Sequence, residues 1–306
     1  MKILITGGSG MVGRNLVEFL HKSSNYKLNY PTSEELNLLD KQNVLNFLQK
    51  DKFDAIIHCA GLVGGIQANI QRPFSFLNVN LQMGLNLMEA AVNCGVPKVI
   101  NLGSSCMYPK DSEDILEETD VLTGKLEPTN EGYAIAKIAV AKLGEFAKKE
   151  FNLDYKTIIP CNLYGKYDKF DPKNSHMIPA VIRKLHKAKS LNQDAEIWGD
   201  GTARREFMYA EDLADFIKFA LENYDRLEPF TNVGLGYDYS IQEYYESIAD
   251  VVGFKGKFHF NLEKPSGMKK KLCSIKKQNS LGWNPKYSLM EGLSLTNDFF
   301  IKNHGI

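Results

Sequence analysis

One stretch decides the fold of this chain: MKILITGGSGMVG, residues 1–13. The apolar run over residues 2–6 predicts a short buried strand, and an apolar-periodic helix follows the glycines. Gly7 allows the tight turn between them, Gly10 lets the backbone approach a pyrophosphate, and Gly13 lets helix and strand pack closely. The helix N-terminus adds amides and a positive dipole. The spacing is G-x-x-G-x-x-G rather than G-x-G-x-x-G, and its place after a strand favours a dinucleotide site over a plain turn.

Strands and helices alternate through the rest of the first half of the chain. Further strands are predicted near residues 26–30, 54–59, 99–102, 155–160 and 230–233. This alternation predicts an α/β fold with a doubly wound, Rossmann-type parallel sheet that binds ligands at the carboxyl ends of its strands. We expect a dinucleotide-binding domain from residues 1–165 plus about 200–235. Residues 166–199 and 236–306 are expected to form a smaller C-terminal α/β substrate lobe.

Composition excludes several classes of function. The 37 basic and 37 acidic residues cancel, so no global field attracts nucleic acid or an anionic membrane. Five cysteines without a Cys-x-x-Cys pair argue against a disulfide framework and against a metal site. The apolar start is too short for a signal peptide, and no stretch approaches the roughly 18 apolar residues of a membrane span. We expect a soluble, cytoplasmic protein.

Loops of small and polar residues follow the predicted strands. Ala60-Gly61-Leu62 lies after the third strand, where small residues let a cofactor approach the backbone. Ser104-Ser105-Cys106 follows the fourth strand, and Cys161-Asn162-Leu163 follows the fifth. Because the carboxyl ends of parallel strands share one edge of a sheet, chemistry is expected at these loops.

Tyr133 and Lys137 lie four residues apart in a run of helix formers that starts near Pro128. Positions i and i+4 share one helix face, which places the ammonium one turn from the phenol. A neighbouring cation favours the phenolate and moves the tyrosine pKa from about 10 toward neutrality, which suits proton transfer at a carbonyl. The same spacing also arises by chance, and an exposed lysine is usually only solvated.

Together, the glycine loop, Ser104 and Tyr133-x-x-x-Lys137 resemble the extended short-chain dehydrogenases/reductases. Longer stretches closely resemble the GDP-L-fucose synthase family, whose members epimerise a GDP-4-keto-6-deoxymannose at C3 and C5 and reduce it at C4. These stretches are Gly103 to Lys110, Glu127 to Lys137, Asn162 to Gly165, Asn174 to His176 and Arg205 to Phe207.

The resemblance implies a role for each catalytic candidate. Tyr133 would give the proton to the C4 oxygen, Lys137 would be its electrostatic partner and a ribose ligand, and Ser104 would polarise the ketone. Cys106 and His176 would be the base and the acid of epimerisation. A C4 ketone acidifies the protons at C3 and C5, and a thiolate and an imidazole can move them near neutral pH. Without the resemblance, the cysteine reads as a small buried hydrophobe and the histidine as a helix cap or core residue.

The resemblance also implies the ligand contacts. Cofactor contacts are expected from Gly7, Gly10, Met11, Val12, Gly13, Ala60, Gly61, Leu62, Lys137, Pro160, Asn162, Leu163 and His176. GDP-sugar contacts are expected from Ser104, Ser105, Cys106, Tyr133, Asn162, Lys184, Trp198, Arg205 and Lys271. The Arg205 guanidinium suits a pyrophosphate, and Trp198 has a core position as its alternative.

Some positions depart from the family pattern. The resemblance implies NADPH as the cofactor. Ser9 and Ser33 stand where members often carry arginines for the adenosine 2′-phosphate, and this makes NADH an alternative. Lys184 replaces an arginine and Gly132 a proline, which leaves the sugar open. The alternatives are a C4-reductase acting on a related sugar such as a GDP-4-keto-heptose and, more distantly, a non-catalytic nucleotide-binding protein. The resemblance further implies a homodimer formed through the helices after Pro73 and around Tyr133.

Overall fold

The structure is a computed structural model that describes residues 1–112, 115–171, 175–264 and 268–304. The strands are β1 (Lys2–Thr6), β2 (Lys27–Asn29), β3 (Ala55–His58), β4 (Val99–Leu102), β5 (Lys156–Pro160), β6 (Asn162–Tyr164), β7 (Ala195–Trp198), β8 (Arg204–Arg205), β9 (Phe207–Tyr209), β10 (Phe230–Val233), β11 (Tyr239–Ser240), β12 (Phe258–Asn261) and β13 (Lys270–Lys271). The helices are α1 (Met11–His21), α2 (Lys41–Lys50), α3 (Ile66–Gln71), α4 (Pro73–Asn93), α5 (Glu131–Phe151), α6 (Met177–Ser190), α7 (Ala210–Glu222), α8 (Ile241–Val252), α9 (Lys276–Leu281) and α10 (Leu289–His304). Asn174 of the predicted Asn174-Ser175-His176 motif lies outside the described residues.

Six strands form one parallel sheet in the order β10-β5-β4-β3-β1-β2. The predicted doubly wound sheet is therefore confirmed, with Phe230–Val233 as one edge strand, as expected. Every residue of β3, β4 and β5 is buried. Helices on both faces explain why these strands read as continuous apolar runs rather than as alternating ones.

Successive residues of β1 serve opposite faces of the sheet, as the two-residue repeat of a strand requires. Ile3 and Ile5 pack in the core that includes α1 and α7. Leu4 packs in the core on the other face, against α2, α4 and α5. Two helical layers thus hold the strand ends, and the loops that follow them, in fixed positions.

A further core, apart from the two on the faces of the large sheet, lies mostly in the C-terminal half. Its buried residues come from α6, α8 and α10 together with β7, Phe207 and Tyr209. Three small sheets accompany it: β6 with β9, β7 with β12, and β8 between β11 and β13. Most of these short strands were not predicted, because two or three residues carry too little periodicity to be recognised.

The helix predictions are confirmed with small shifts. The predicted helix from Pro73 is α4, whereas α5 begins at Glu131, since Pro128–Asn130 forms a 3-10 turn before it. The short helix α3 was not predicted. Across the four described ranges, no helix is both long enough and apolar enough to cross a bilayer.

Candidate active site

The strand order reverses between β1 and β3, and the loops after these strands flank the crevice that this reversal creates. In the first loop, Gly7 has a φ of 71°. A Cβ added to Gly13 would lie 2.2 Å from the Gly7 carbonyl oxygen, so only glycine fits there. Gly10 occupies the N-cap of α1 without a side chain to bond the first amides, and Met11 and Val12 follow it. The Gly10 amide donates to the Gly7 carbonyl at 3.0 Å, which closes the turn, and the uncapped N-terminus of α1 that follows fits a pyrophosphate.

The loop after β3 is held by Asn80, a residue that was not predicted to belong to the site. Asn80 of α4 is 5% exposed. Its Oδ1 accepts from the Leu62 backbone amide at 2.8 Å, and its Nδ2 donates to the Leu62 carbonyl at 3.1 Å. A Cβ added to Gly61 would lie 3.9 Å from Lys137 Nζ. The loop after β3 therefore approaches the lysine that was expected to hold the cofactor ribose.

Ser104, Tyr133 and Lys137 come together at the carboxyl end of β4. Lys137 Nζ donates to the Leu102 carbonyl at 2.8 Å and lies 5.7 Å from the centroid of the Tyr133 ring. Ser104 caps a 3-10 turn, with its Oγ accepting from the Cys106 amide at 3.3 Å, and its hydroxyl also interacts with the phenol. The predicted triad is thus assembled on one strand end and one helix.

Burial dominates the titration of this group. It raises the pKa of Tyr133 above its ordinary value, the charge of Cys106 adds to the rise, and the bond with Ser104 opposes it. The predicted lowering of this pKa is wrong, because desolvation of the phenol is the largest cause of the shift and raises the pKa. Burial also lowers the pKa of Lys137 to about 8, although Cys59 and Cys106 oppose this. The phenol therefore stays protonated near neutral pH, as a proton donor must.

Cys106 lies two residues beyond Ser104 in the same 3-10 turn, and two nitrogen donors approach its sulfur. Asn130 Nδ2 donates to its Sγ at 3.1 Å, and Lys271 Nζ lies 3.8 Å from the same atom. Asn130 was not singled out in the sequence, and Lys271 was expected at the nucleotide end of the substrate. The fold instead brings both to the sulfur.

His176 occupies the N-cap position of α6 but does not cap the helix with its side chain. Its Nδ1 lies 3.9 Å from Asp168 Oδ1, and the carboxylate side chain is only 4% exposed. A Cβ added to Gly65 would lie 3.2 Å from the Ser175 carbonyl oxygen, so this segment adjoins the loop after β3. Among the residues that the structure describes, no hydrogen bond or ion pair joins His176 to Cys106.

The remaining predicted substrate residues differ in availability. Trp198 is 47% exposed, so the core alternative for it is wrong. Arg205 is half-buried, and its guanidinium donates to the Arg204 carbonyl at 2.8 Å. Lys184 Nζ donates to the Glu196 carbonyl at 2.8 Å and to the Tyr245 hydroxyl at 3.1 Å, and burial lowers its pKa.

Other predicted positions are partly or wholly covered. Ser105 is buried in the 3-10 turn. Asn162 Nδ2 donates to the Glu206 carbonyl at 2.9 Å. Pro160 ends β5, and Leu163 lies in the short strand β6 that follows in the chain and pairs with β9. These residues place the loop after β5 at the same carboxyl edge as Ser104.

Residues 3–236 match the sequence profile of the NAD dependent epimerase/dehydratase family. The chain belongs to this family. A GDP-L-colitose synthase of Yersinia pseudotuberculosis is 52% identical over 303 residues, covering 98% of both chains. A GDP-L-fucose synthase of Azorhizobium caulinodans is 45% identical over 306 residues, covering 100% of this chain and 98% of that one. A solved GDP-mannoheptose C4 reductase from Campylobacter jejuni, with NADP bound, aligns with a TM-score of 0.88 at 32% identity over 98% of each chain.

The resemblance predicted from the sequence is therefore confirmed over the whole length. As a member of the epimerase/dehydratase family, the protein is an enzyme with a nicotinamide cofactor, and the non-catalytic alternative is wrong.

One buried carboxylate of this epimerase/dehydratase bonds the segment after β10 to the segment after β13. Glu206 is 1% exposed. Its Oε1 accepts from the Leu235 and Gly236 amides at 2.5 and 2.9 Å, and its Oε2 accepts from the Cys273 amide at 3.1 Å. Burial raises the pKa of Glu206 to about 7, while these three donors lower it. Sequence reasoning used only its neighbour Arg205, since nothing local marks a glutamate as buried.

Proposed function

We propose that this enzyme epimerises a GDP-4-keto-6-deoxyhexose at C3 and C5 and then reduces it at C4. The observation that carries the proposal is the assembly of Ser104, Tyr133 and Lys137, with Cys106 only two residues after Ser104 in the same 3-10 turn. A reductase needs only the first three residues. A thiol beside them supplies the additional base that epimerisation requires.

The reduction uses groups that already have the required protonation states. A bound nicotinamide supplies the hydride. Ser104 donates a hydrogen bond to the C4 carbonyl oxygen, and Tyr133 delivers the proton as that oxygen gains charge. Lys137 carries positive charge below its pKa of about 8, and this charge stabilises the phenolate that proton transfer leaves behind.

The epimerisation uses Cys106 as base and His176 as acid. The cysteine removes a proton from carbon adjacent to the ketone, and the imidazolium returns one to the opposite face. Asp168 Oδ1 lies 3.9 Å from the histidine Nδ1, so a buried carboxylate faces the imidazole ring.

The GDP moiety is expected along the substrate lobe. The exposed ring face of Trp198 suits stacking with a guanine, and the Arg205 guanidinium suits a phosphate. Asn162, Lys184 and Ser105 remain proposed substrate contacts, although the structure already uses or covers their side chains. We assign residues 166–199 and 236–306 to this lobe and the rest to the dinucleotide-binding domain.

NADPH is the proposed cofactor, and NADH is proposed as an acceptable substitute. Gly7, Gly10 and Gly13 leave room for the pyrophosphate of either. At the adenosine end, Ser9 and Ser33 are exposed and carry no charge for a 2′-phosphate. Discrimination between the two cofactors should therefore be weak.

We also propose a cytoplasmic homodimer. Helices α4 and α5 pack against each other and expose apolar residues, among them Leu85 and Phe146. A symmetric four-helix interface would cover such residues. The five free cysteines fit a reducing compartment.

Two alternatives for the substrate have specific support. A GDP-4-keto-heptose, reduced at C4 without epimerisation, is supported by the Campylobacter C4 reductase. A sugar leading to GDP-L-colitose is supported by the 52% identical Yersinia relative. Colitose is fucose without the C3 oxygen, so that substrate would need inversion at C5 only.

Isotope exchange and product analysis separate these possibilities. The enzyme is incubated in deuterated water, without reduced cofactor, with GDP-4-keto-6-deoxymannose, its 3-deoxy analogue or a GDP-4-keto-heptose. We expect deuterium at C3 and C5 of the first compound. NADPH or NADH is then added, and NMR identifies the product of each. Reduction without any exchange would leave a C4-reductase, and turnover of the 3-deoxy compound alone would favour the colitose branch.

A further inference from the structure

Lys271 lies at the catalytic thiol, and this position indicates a task other than phosphate binding. Its Nζ is 3.8 Å from Cys106 Sγ, while the Asn130 amide donates to the same sulfur at 3.1 Å. Two N–H donors, one of them cationic, thus converge on one sulfur atom. An N–H donor and a cation are the contacts that a sulfur anion accepts in proteins.

The backbone fixes Lys271 in this position. Strand β13 pairs in parallel with β8, which places Lys271 beside Arg205. The pairing is anchored before the strand by the Arg204 amide, which donates to the Lys269 carbonyl at 2.8 Å. It is anchored after the strand by the Cys273 amide, which donates to Glu206 at 3.1 Å. The ammonium is therefore presented to Cys106 by an ordered strand.

The neighbouring lysine shows that this orientation is specific. Lys270 is exposed, and its Nζ lies 3.9 Å from Asp238 Oδ2. Because successive strand residues face opposite ways, only Lys271 of the pair is directed to the thiol. Lys270 is therefore a matched control in the same strand.

Asn130 supports the same reading. It stands at the N-cap of α5, yet its side chain makes no capping hydrogen bond. Its Nδ2 contacts Cys106 instead. An asparagine at this position ordinarily bonds the first helix amides, so its use on the sulfur is a departure from the usual role.

We propose that Lys271, assisted by Asn130, holds Cys106 as the thiolate that removes the proton in epimerisation. This rests on the proposed epimerase function. In that step the C–H bond next to the ketone breaks, an S–H bond forms, and the electron pair moves onto the C4 oxygen as an enolate. A proton from His176 then forms the new C–H bond on the opposite face, and nothing is oxidised or reduced.

Other groups also face Cys106. Lys137 and Tyr133 approach it from α5, and Cys273 approaches it from the segment after β13. Lys137 already bonds the Leu102 carbonyl. Removing Lys271 should therefore weaken the preference for the thiolate without abolishing it.

The test measures the thiolate directly. Iodoacetamide alkylation of Cys106 at pH 7 is followed by peptide mass spectrometry in the wild type, Lys271→Gln, Lys271→Arg and Lys270→Gln. We expect Lys271→Gln to slow alkylation about tenfold, since a cation at about 4 Å favours an anion by at least that factor. Lys271→Arg should stay within about threefold, and Lys270→Gln should match the wild type. Deuterium exchange from solvent into the 4-keto sugar should follow the same order.

Each outcome has one meaning. Unchanged alkylation in Lys271→Gln overturns the proposal, as does weaker GDP binding with unchanged alkylation, which would make Lys271 a phosphate ligand. If Lys271→Gln slows alkylation but the wild type exchanges no deuterium, the thiolate assignment is supported and the epimerase function is refuted. Should Lys271→Gln not fold, Asn130→Ala carries the same expectation at several-fold magnitude, and unchanged alkylation there also overturns the proposal.

Discussion

The contribution of Glu206 to the free energy of unfolding should fall as pH rises from 5 to 8. Burial raises the pKa of this carboxyl from 4.5 to about 7 in the folded state. A raised pKa means that the folded state holds a proton that the unfolded chain releases. The stabilisation is therefore complete below pH 4.5 and is lost as pH passes 7. Between pH 5 and pH 8 the loss amounts to about 2.5 kcal/mol.

Replacing Glu206 by Gln removes this titration. The amide keeps the shape but leaves one of the three backbone donors, such as the Cys273 amide, without an acceptor. The lost hydrogen bond alone lowers the free energy of unfolding by about 1–3 kcal/mol, and the loss of the Glu206 titration adds to this at low pH. Urea unfolding is monitored by circular dichroism from pH 5 to pH 8. The difference in the free energy of unfolding between the wild type and Glu206→Gln should shrink by about 2.5 kcal/mol as pH rises over this range.

The control is a glutamate of opposite behaviour. Backbone and side-chain bonds from Ser240 lower the pKa of the exposed Glu243, so its stabilisation is lost as pH falls rather than rises. Across pH 5 to 8 the Glu243→Gln variant should therefore differ from the wild type by a nearly constant amount, since this carboxyl is ionised in both states above its ordinary pKa of 4.5. A constant difference between wild type and Glu206→Gln across the whole range would refute the reasoning about the buried carboxyl.

Three further predictions concern the catalytic groups. Tyr133→Phe should lower the rate of ketone reduction at least about a hundredfold with cofactor affinity unchanged, checked by stopped-flow and fluorescence titration. Because burial lowers the pKa of Lys137 to about 8, kcat/KM for reduction should fall above that pH. Lys137→Arg should extend activity to higher pH, as a pH–rate profile would show. Introducing arginine at Ser33 and Ser9 should shift the ratio of kcat/KM for NADPH over NADH at least about tenfold toward NADPH, and an unchanged ratio would place the 2′-phosphate elsewhere.

The parts of the fold that could be predicted are those determined by residues close together in the sequence. Strands β1, β3, β4 and β5 are short and mostly apolar, and Gly7 to Gly13 marks the turn after the first of them. The spacing of Tyr133 and Lys137 placed the two side chains on one helix face, and the structure confirms that they are neighbours. Such features depend on residues within one or two turns of one another.

The parts that could not be predicted depend on pairing between distant segments. Lys271 meets Cys106 across a sequence separation of 165 residues, through a two-residue strand without a recognisable pattern. The pKa of Tyr133 was predicted in the wrong direction because spacing reveals a nearby charge but not the depth of burial. Asn80 and Glu206 are polar side chains whose partners are backbone groups, and no sequence signal marks those partners.

The hydrogen bonds of Asn80 also bear on how tightly the enzyme holds its cofactor. This side chain bonds both the amide and the carbonyl of Leu62, as a neighbouring strand would, and so orders an irregular loop in the folded chain. The conformational entropy of that loop is therefore lost when the chain folds, not when the dinucleotide binds. Affinity at this edge of the sheet is to that extent a property of the folding of α4, the helix that carries Asn80.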